Sequence, residues 1–80
     1  AHLVASVMSE TFVPAGSTNI EQAEYDSDTD TLTITFMGNG ESYDYFNVPA
    51  SVFRGMTQAV SAGSYFHRFI KGRYAYDGPK

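Results

Sequence analysis

Apolar and polar residues alternate most strictly over TLTITFM, where Leu32, Ile34 and Phe36 interleave with Thr31, Thr33 and Thr35. A period of two puts these sets on opposite faces of a strand, the large side chains toward a core and the threonines on the outer pleat. IEQAEYD, from Ile20, reads as the preceding strand, separated from it by the turn-rich DSDTD. Gly38-Asn39-Gly40 supplies positive φ at little cost and predicts a tight hairpin returning through ESYDYFNV. Pro49 ends the sheet, and its fixed φ suits the first turn of a helix. Val52, Phe53, Met56, Ala59 and Val60 then recur at helical spacing, predicting a helix over 50–61 that Gly63 stops. Ser64 is placed to cap a second helix over 64–71, closed by Gly72. In that segment Tyr65, Phe66, Phe69 and Ile70 share one arc, and His67, Arg68 and Lys71 the opposite one.

The two ends are less legible. Pro14, Gly16 and Ser17 interrupt the scattered apolar residues of 1–19, which predicts an extended arm over 1–11 followed by a loop. RYAYDGPK ends in turn residues and predicts a mobile tail over 77–80. The expected fold class is α+β, with residues 1–80 as a single domain. It is a small antiparallel three-stranded meander, which the N-terminal arm could extend by a strand, packed on one face by two short C-terminal helices.

Composition narrows this picture. Eighty residues, 42% of them hydrophobic and none cysteine, make one small core held by apolar packing, with no disulfide and no thiolate metal site. No apolar run reaches the roughly 18 residues of a membrane span and no basic leader is visible, so a cytoplasmic protein without membrane attachment is expected. The net charge of -4 conceals a division: Arg54, Arg68, Lys71, Arg73 and Lys80 all follow a wholly acidic first two thirds. An acidic total argues against nonspecific duplex binding, yet a local basic stripe can hold a few phosphates. The plainer account is a screened surface network between the basic segment and the acidic strands.

Asp26, Asp28 and Asp30 resemble the start of a calcium loop, but Thr31 and Met37 stand where such a loop needs glycine and a bidentate glutamate, so a solvated turn is expected. His2 and His67 are the only histidines, no G-x-S-x-G or H-E-x-x-H pattern occurs, and Gly38-Asn39-Gly40 lacks the Lys-Ser/Thr of a phosphate loop. No enzymatic activity, metal or cofactor is expected. Tyr43 and Tyr45 project from one strand face and Asp44 from the other. Outward, the tyrosines would be stacking platforms for bases; inward, they would be core aromatics. Burying Asp44 beneath a helix is costly, which favours inward tyrosines.

Several linked motifs carry a family resemblance: Ser17-Thr18-Asn19-Ile20, Tyr25-Asp26, Leu32, Phe36, Gly40, Tyr43-Asp44-Tyr45, Val48-Pro49, Ser61-Ala62-Gly63, Phe66, Ile70-Lys71 and Tyr74. Over roughly residues 12–76 the chain resembles the KTSC domain, a module found at the C-terminus of some lysyl-tRNA synthetases and as a stand-alone bacterial or phage protein. Glu24 stands where a glycine commonly precedes the Tyr-Asp pair, and His67 where an asparagine-like residue is expected. The resemblance implies no established activity; its association with synthetases suggests RNA binding. The expected function is a noncatalytic binding module for RNA or single-stranded nucleic acid. His67, Arg68, Lys71 and Arg73 would meet phosphates, and Tyr43, Tyr45, Tyr74 and Tyr76 would offer stacking surface. The alternative is a protein–protein interaction module, and an unpaired sheet edge leaves room for weak homodimerisation.

Overall fold

A computed structural model describes residues 9–15 and 19–80. Its elements are β1 (Ser9–Phe12), β2 (Ile20–Asp26), β3 (Thr31–Phe36), β4 (Ser42–Tyr45), α1 (Ala50–Gln58), α2 (Ala62–Phe69) and β5 (Tyr76–Asp77). The strands form one antiparallel sheet in sequence order, five strands rather than the expected three. The arm expected over 1–11 lies outside the described residues as far as residue 8, and from Ser9 it is edge strand β1.

The alternation in β3 sets the layers. Leu32 and Ile34 are fully buried, and they face the helices together with Tyr25, Tyr45 and Phe36. A register shift between Ile20 and Gln22 adds a residue to β2, so Ile20 and Ala23, three apart, both reach the core. The opposite face carries Thr11, Glu24, Thr33, Asp44 and Asp77 as successive cross-strand neighbours. The hairpin is as expected, with Gly38 at φ 91° and Gly40 at φ 72°, and Phe36 N donates to the Glu41 carbonyl at 2.9 Å.

The helices differ from expectation at most of their boundaries. α1 starts at Ala50 as expected, with Pro49 as its N-cap, whose carbonyl accepts from Val52 N at 2.9 Å. α1 stops at Gln58, and Val60, expected on the apolar stripe, is fully exposed. The cause lies downstream. Ser61 takes an extended conformation and its hydroxyl accepts from Ser64 N at 3.2 Å, so the cap of α2 lies three residues before the expected one. Gly63, expected as a stop, is buried inside α2, which ends at Phe69 rather than at 71. Phe66 and Ile70 are buried as the apolar arc requires, whereas Phe69 is 46% exposed. Gly55 lets the two helices approach, because a Cβ there would lie 2.8 Å from Tyr65 Cζ.

The tail expected to be mobile is paired. Tyr76 and Asp77 form β5 opposite Tyr45 and Asp44, and Lys80 N donates to the Ser42 carbonyl at 2.9 Å. The register sets Asp44 against Asp77, a repulsion relieved by Lys80 Nζ, 2.9 Å from Asp44 and 3.5 Å from Asp77. Burial pushes the Asp44 carboxyl up, but hydrogen bonds from Lys80 and Thr33 and the Lys80 charge outweigh it, leaving its pKa below the ordinary value. The hydrogen bond to Asp44 and the carboxylate charges raise Lys80. The depressed acid and the raised base make this anchor fully present at neutral pH, lost as pH falls through the Asp44 value and weakened again as pH rises through the Lys80 value. The Tyr76 ring resonances in an NMR titration should therefore move toward those of a free tyrosine in acid and in high salt, while those of buried Tyr25 stay put.

Candidate nucleic-acid interface

Where α2 ends above the β3–β4 hairpin, the two layers do not close, leaving a cavity of about 440 Å³. Its floor is aromatic and comes from alternate positions of neighbouring strands: Phe36 at the end of β3, Tyr43 and Tyr45 on β4, and Tyr76 on β5. Phe66 reaches down from α2 and meets Phe36 and Tyr45 edge-on, with centroids 5.5 and 5.4 Å apart. Tyr76 tilts against both Tyr43 and Tyr45 at 5.7 and 5.6 Å, so the added strand β5 supplies one wall. The other walls are polar. His67 enters from α2, Lys71 from the turn after it, and Asn39 and Glu41 from the hairpin.

The inward choice for the tyrosines agrees with the buried or half-buried rings of Tyr45 and Tyr43. Asp44 on the open face accepts from the Thr33 hydroxyl at 2.7 Å. Burial, followed by the neighbouring Tyr76 and Tyr43, raises the Tyr45 pKa, keeping that phenol protonated. Of the eight residues expected to bind, Tyr43, Tyr45, Tyr76, His67 and Lys71 line this cavity. Arg68, Arg73 and Tyr74 do not. Arg68 lies over the Phe69 ring at 5.8 Å, Arg73 Nε donates to the Arg68 carbonyl at 3.0 Å, and Tyr74 is half-buried near Tyr65, whose pKa is raised by burial and then by Tyr74. Phe36, Asn39 and Glu41 were not among the expected binding residues. The signal for Phe36 was its place as the last inward residue before the hairpin, and the signal for Asn39 and Glu41 was membership of that hairpin.

The charge division of the sequence becomes a division between layers. Glu24, Asp26, Asp44 and Asp77 lie on or beside the open sheet face, and His67 and Arg68 lie on α2 across the core, with Lys71 in the turn that follows it. The expected network between the basic segment and the acidic strands is confined to Lys80; among the described residues Arg68, Lys71 and Arg73 form no ion pair. In the turn, Asp26 accepts from Asp28 N at 2.9 Å and Asp30 lies 3.0 Å from the Tyr25 hydroxyl, so these carboxylates serve the turn itself. No group of three or more histidine or acidic residues that could hold a metal occurs among the described residues, nor any helix long and apolar enough to cross a membrane.

Comparison with known proteins places this architecture. The sequence profile of the KTSC domain matches residues 16–74, most of the chain. This chain belongs to the KTSC domain family. The crystal structure of a KTSC domain protein from Yersinia pestis superposes with a TM-score of 0.76 at 32% identity, covering 86% of this chain and 94% of that one. A lysine–tRNA ligase of Trichormus variabilis is 45% identical over 64 residues, 80% of this chain, and that of Nostoc punctiforme is 44% identical over the same length. The KTSC chain spans 11% of the length of these ligases, so the ligase name belongs to a much larger protein. A protein of Tsukamurella paurometabola is 36% identical over 61 residues, which cover 76% of this chain and 90% of that one. Six positions that carried the resemblance, Asn19, Phe36, Tyr43, Tyr45, Phe66 and Lys71, line the cavity. Others are structural: Tyr25 and Val48 meet through the Tyr25 hydroxyl, 2.7 Å from the Val48 carbonyl oxygen.

Proposed function

We propose that this KTSC domain is a noncatalytic module that binds single-stranded RNA or a related single strand through the cavity between α2 and the β3–β4 hairpin. The observation that carries the reading is the convergence of Tyr43, Tyr76, His67 and Lys71 on one aromatic-floored cavity. Aromatic rings accept the flat faces of unstacked bases, and a nearby ammonium neutralises the phosphate that follows. The similarity to a segment of lysine–tRNA ligases is consistent with an RNA ligand. Affinity for a short labelled RNA, measured by fluorescence anisotropy, should fall steadily with salt. Lys71→Ala should weaken binding severalfold and flatten the salt slope by about one unit, without changing the melting temperature of a domain in which Lys71 is exposed. Absence of any RNA binding at low salt would sink the reading.

A second reading rests on a different surface. Phe69, 46% exposed and covered by the Arg68 guanidinium, lies beside Tyr65 at 4.8 Å between ring centroids. Aromatic and arginine side chains of this kind are enriched at protein interfaces. A partner protein held there would lose affinity in Phe69→Ala, a change that leaves the cavity and its RNA binding intact.

A further inference from the structure

We propose that the cavity is a guanine-selecting subsite, with the Glu41 carboxylate reading the Watson–Crick edge of one unstacked base; this rests on the nucleic-acid reading above. Glu41 is held from both sides. Its backbone N–H donates to Asn39 Oδ1 at 2.9 Å, its carbonyl accepts from Phe36 N, and its Oε1 accepts from Asn39 Nδ2 at 3.1 Å. The Asn39 amide is therefore committed to the hairpin. Glu41 is left as the oriented acceptor on that wall, with a second oxygen and its remaining lone pairs available. Among the described residues it forms no ion pair.

The helical layer adds the opposite chemistry. His67 from α2 and Lys71 from the turn after it line the cavity together with hairpin residue Glu41, so a carboxylate, donor groups and aromatic rings share one lining. A ligand suited to it has hydrogen-bond donors, a flat aromatic body and an anion, which describes a nucleotide. The volume of about 440 Å³ falls within the range of small-molecule sites, roughly 300–1,000 Å³.

The bases differ in what they show a carboxylate. Guanine presents two adjacent donors, N1–H and N2–H, spaced to meet both oxygens. Adenine and cytosine each present one exocyclic amino group beside a ring acceptor. Uracil presents a single N–H flanked by two carbonyl oxygens that the carboxylate repels. A fixed carboxylate thus favours guanine most and uracil least, and a good bidentate pair discriminates by about tenfold or more.

The test uses the full chain and four labelled RNA heptamers, UUUGUUU and its A, C and U counterparts at the centre, at low salt by anisotropy. The guanine heptamer should bind about tenfold or more tightly than the all-uracil one, with adenine and cytosine between them. Glu41→Ala removes a negative charge whose general repulsion acts on all four alike and, with it, the contact made only to guanine, so the readout is the guanine-to-uracil ratio, which should collapse toward one while the melting temperature holds. A merely structural role for Glu41 would not move that ratio. Equal binding of all four heptamers by the native chain would overturn the guanine subsite and leave the nucleic-acid reading standing. A guanine preference that survives in Glu41→Ala would overturn readout by this carboxylate, and binding of no heptamer would overturn both proposals.

Discussion

Replacing Phe66 with alanine is expected to destabilise the domain by about 3–5 kcal/mol, the ordinary cost of emptying a buried aromatic site. Phe66 is 2% exposed and ties α2 to the sheet through edge-on contacts with Phe36 and Tyr45. Its removal loses the transfer free energy of the ring and the two quadrupolar contacts, and leaves a void that the sheet cannot fill. A chain of this length has a total stability of about 4–12 kcal/mol, so the loss takes between about a quarter of that stability and all of it. Thermal unfolding checks this, with a fall of about 4–8 °C for each kcal/mol lost. Phe66→Leu keeps most of the apolar volume and should melt between the two. Because Phe66 also forms part of the cavity wall, the leucine variant should bind RNA more weakly than the native chain while remaining folded.

The layers of this domain were legible because a few local rules agree. Alternation in 31–36, the Gly38-Asn39-Gly40 turn and the stripe through Phe53 and Met56 each point to one sheet face under two helices. What was not legible depends on distant partners. β5 is two residues long, and nothing in RYAYDGPK shows a strand until β4 offers it an edge and Lys80 settles the repulsion between Asp44 and Asp77. β1 likewise has no core alternation of its own, and Phe12 is set by its place opposite Ala23. At the helix junction two serines compete as caps. Ser61 prevails because starting α2 there buries Ala62 and Gly63 in its first turn and brings Phe66 and Ile70 onto the core.

The candidate site was half legible for the same reason. A helical projection separates His67 and Lys71 from the apolar arc, but it cannot tell them from Arg68, because only tertiary packing decides which flank of α2 overlooks the sheet opening. On the strand alone, inward tyrosines at 43 and 45 are core residues and outward ones a stacking surface. The cavity removes the opposition: the core is unfilled at this end, so a ring can belong to the interior and still line an opening. Asn39 and Glu41 enter only through the fold of the hairpin, which brings its polar tip to the edge of the aromatic floor.

Raising the pH through the range from about 10 to 12 should remove about 2–3 kcal/mol of stability through Tyr25 alone. This ring is 2% exposed and stacks on Phe53 at 5.1 Å, and burial first, then the neighbouring Asp30, push its phenol up to about 12. The hydroxyl lies 2.7 Å from the Val48 carbonyl oxygen and 3.0 Å from Asp30 Oδ1, two acceptors that a phenolate would face without a proton to share. The folded pKa is raised, so the stabilisation is complete below the ordinary tyrosine value and is lost as pH climbs toward the folded one, because the unfolded chain ionises first. Tyr25→Phe inverts the balance. At neutral pH it should cost about 1–2 kcal/mol, since the Val48 carbonyl loses its donor from Tyr25, but it has no phenol to ionise. Urea unfolding at neutral pH and near the top of the titration separates the two contributions. The native chain should be the more stable at neutral pH, and the gap should close or reverse in alkali. Tyr45 and Tyr65, both also raised by burial, lower the two proteins together and cancel in the difference. A gap that stays constant across the titration would mean that the hydroxyl ionises freely and that the contact joining the Tyr-Asp and Val-Pro motifs does not restrain it.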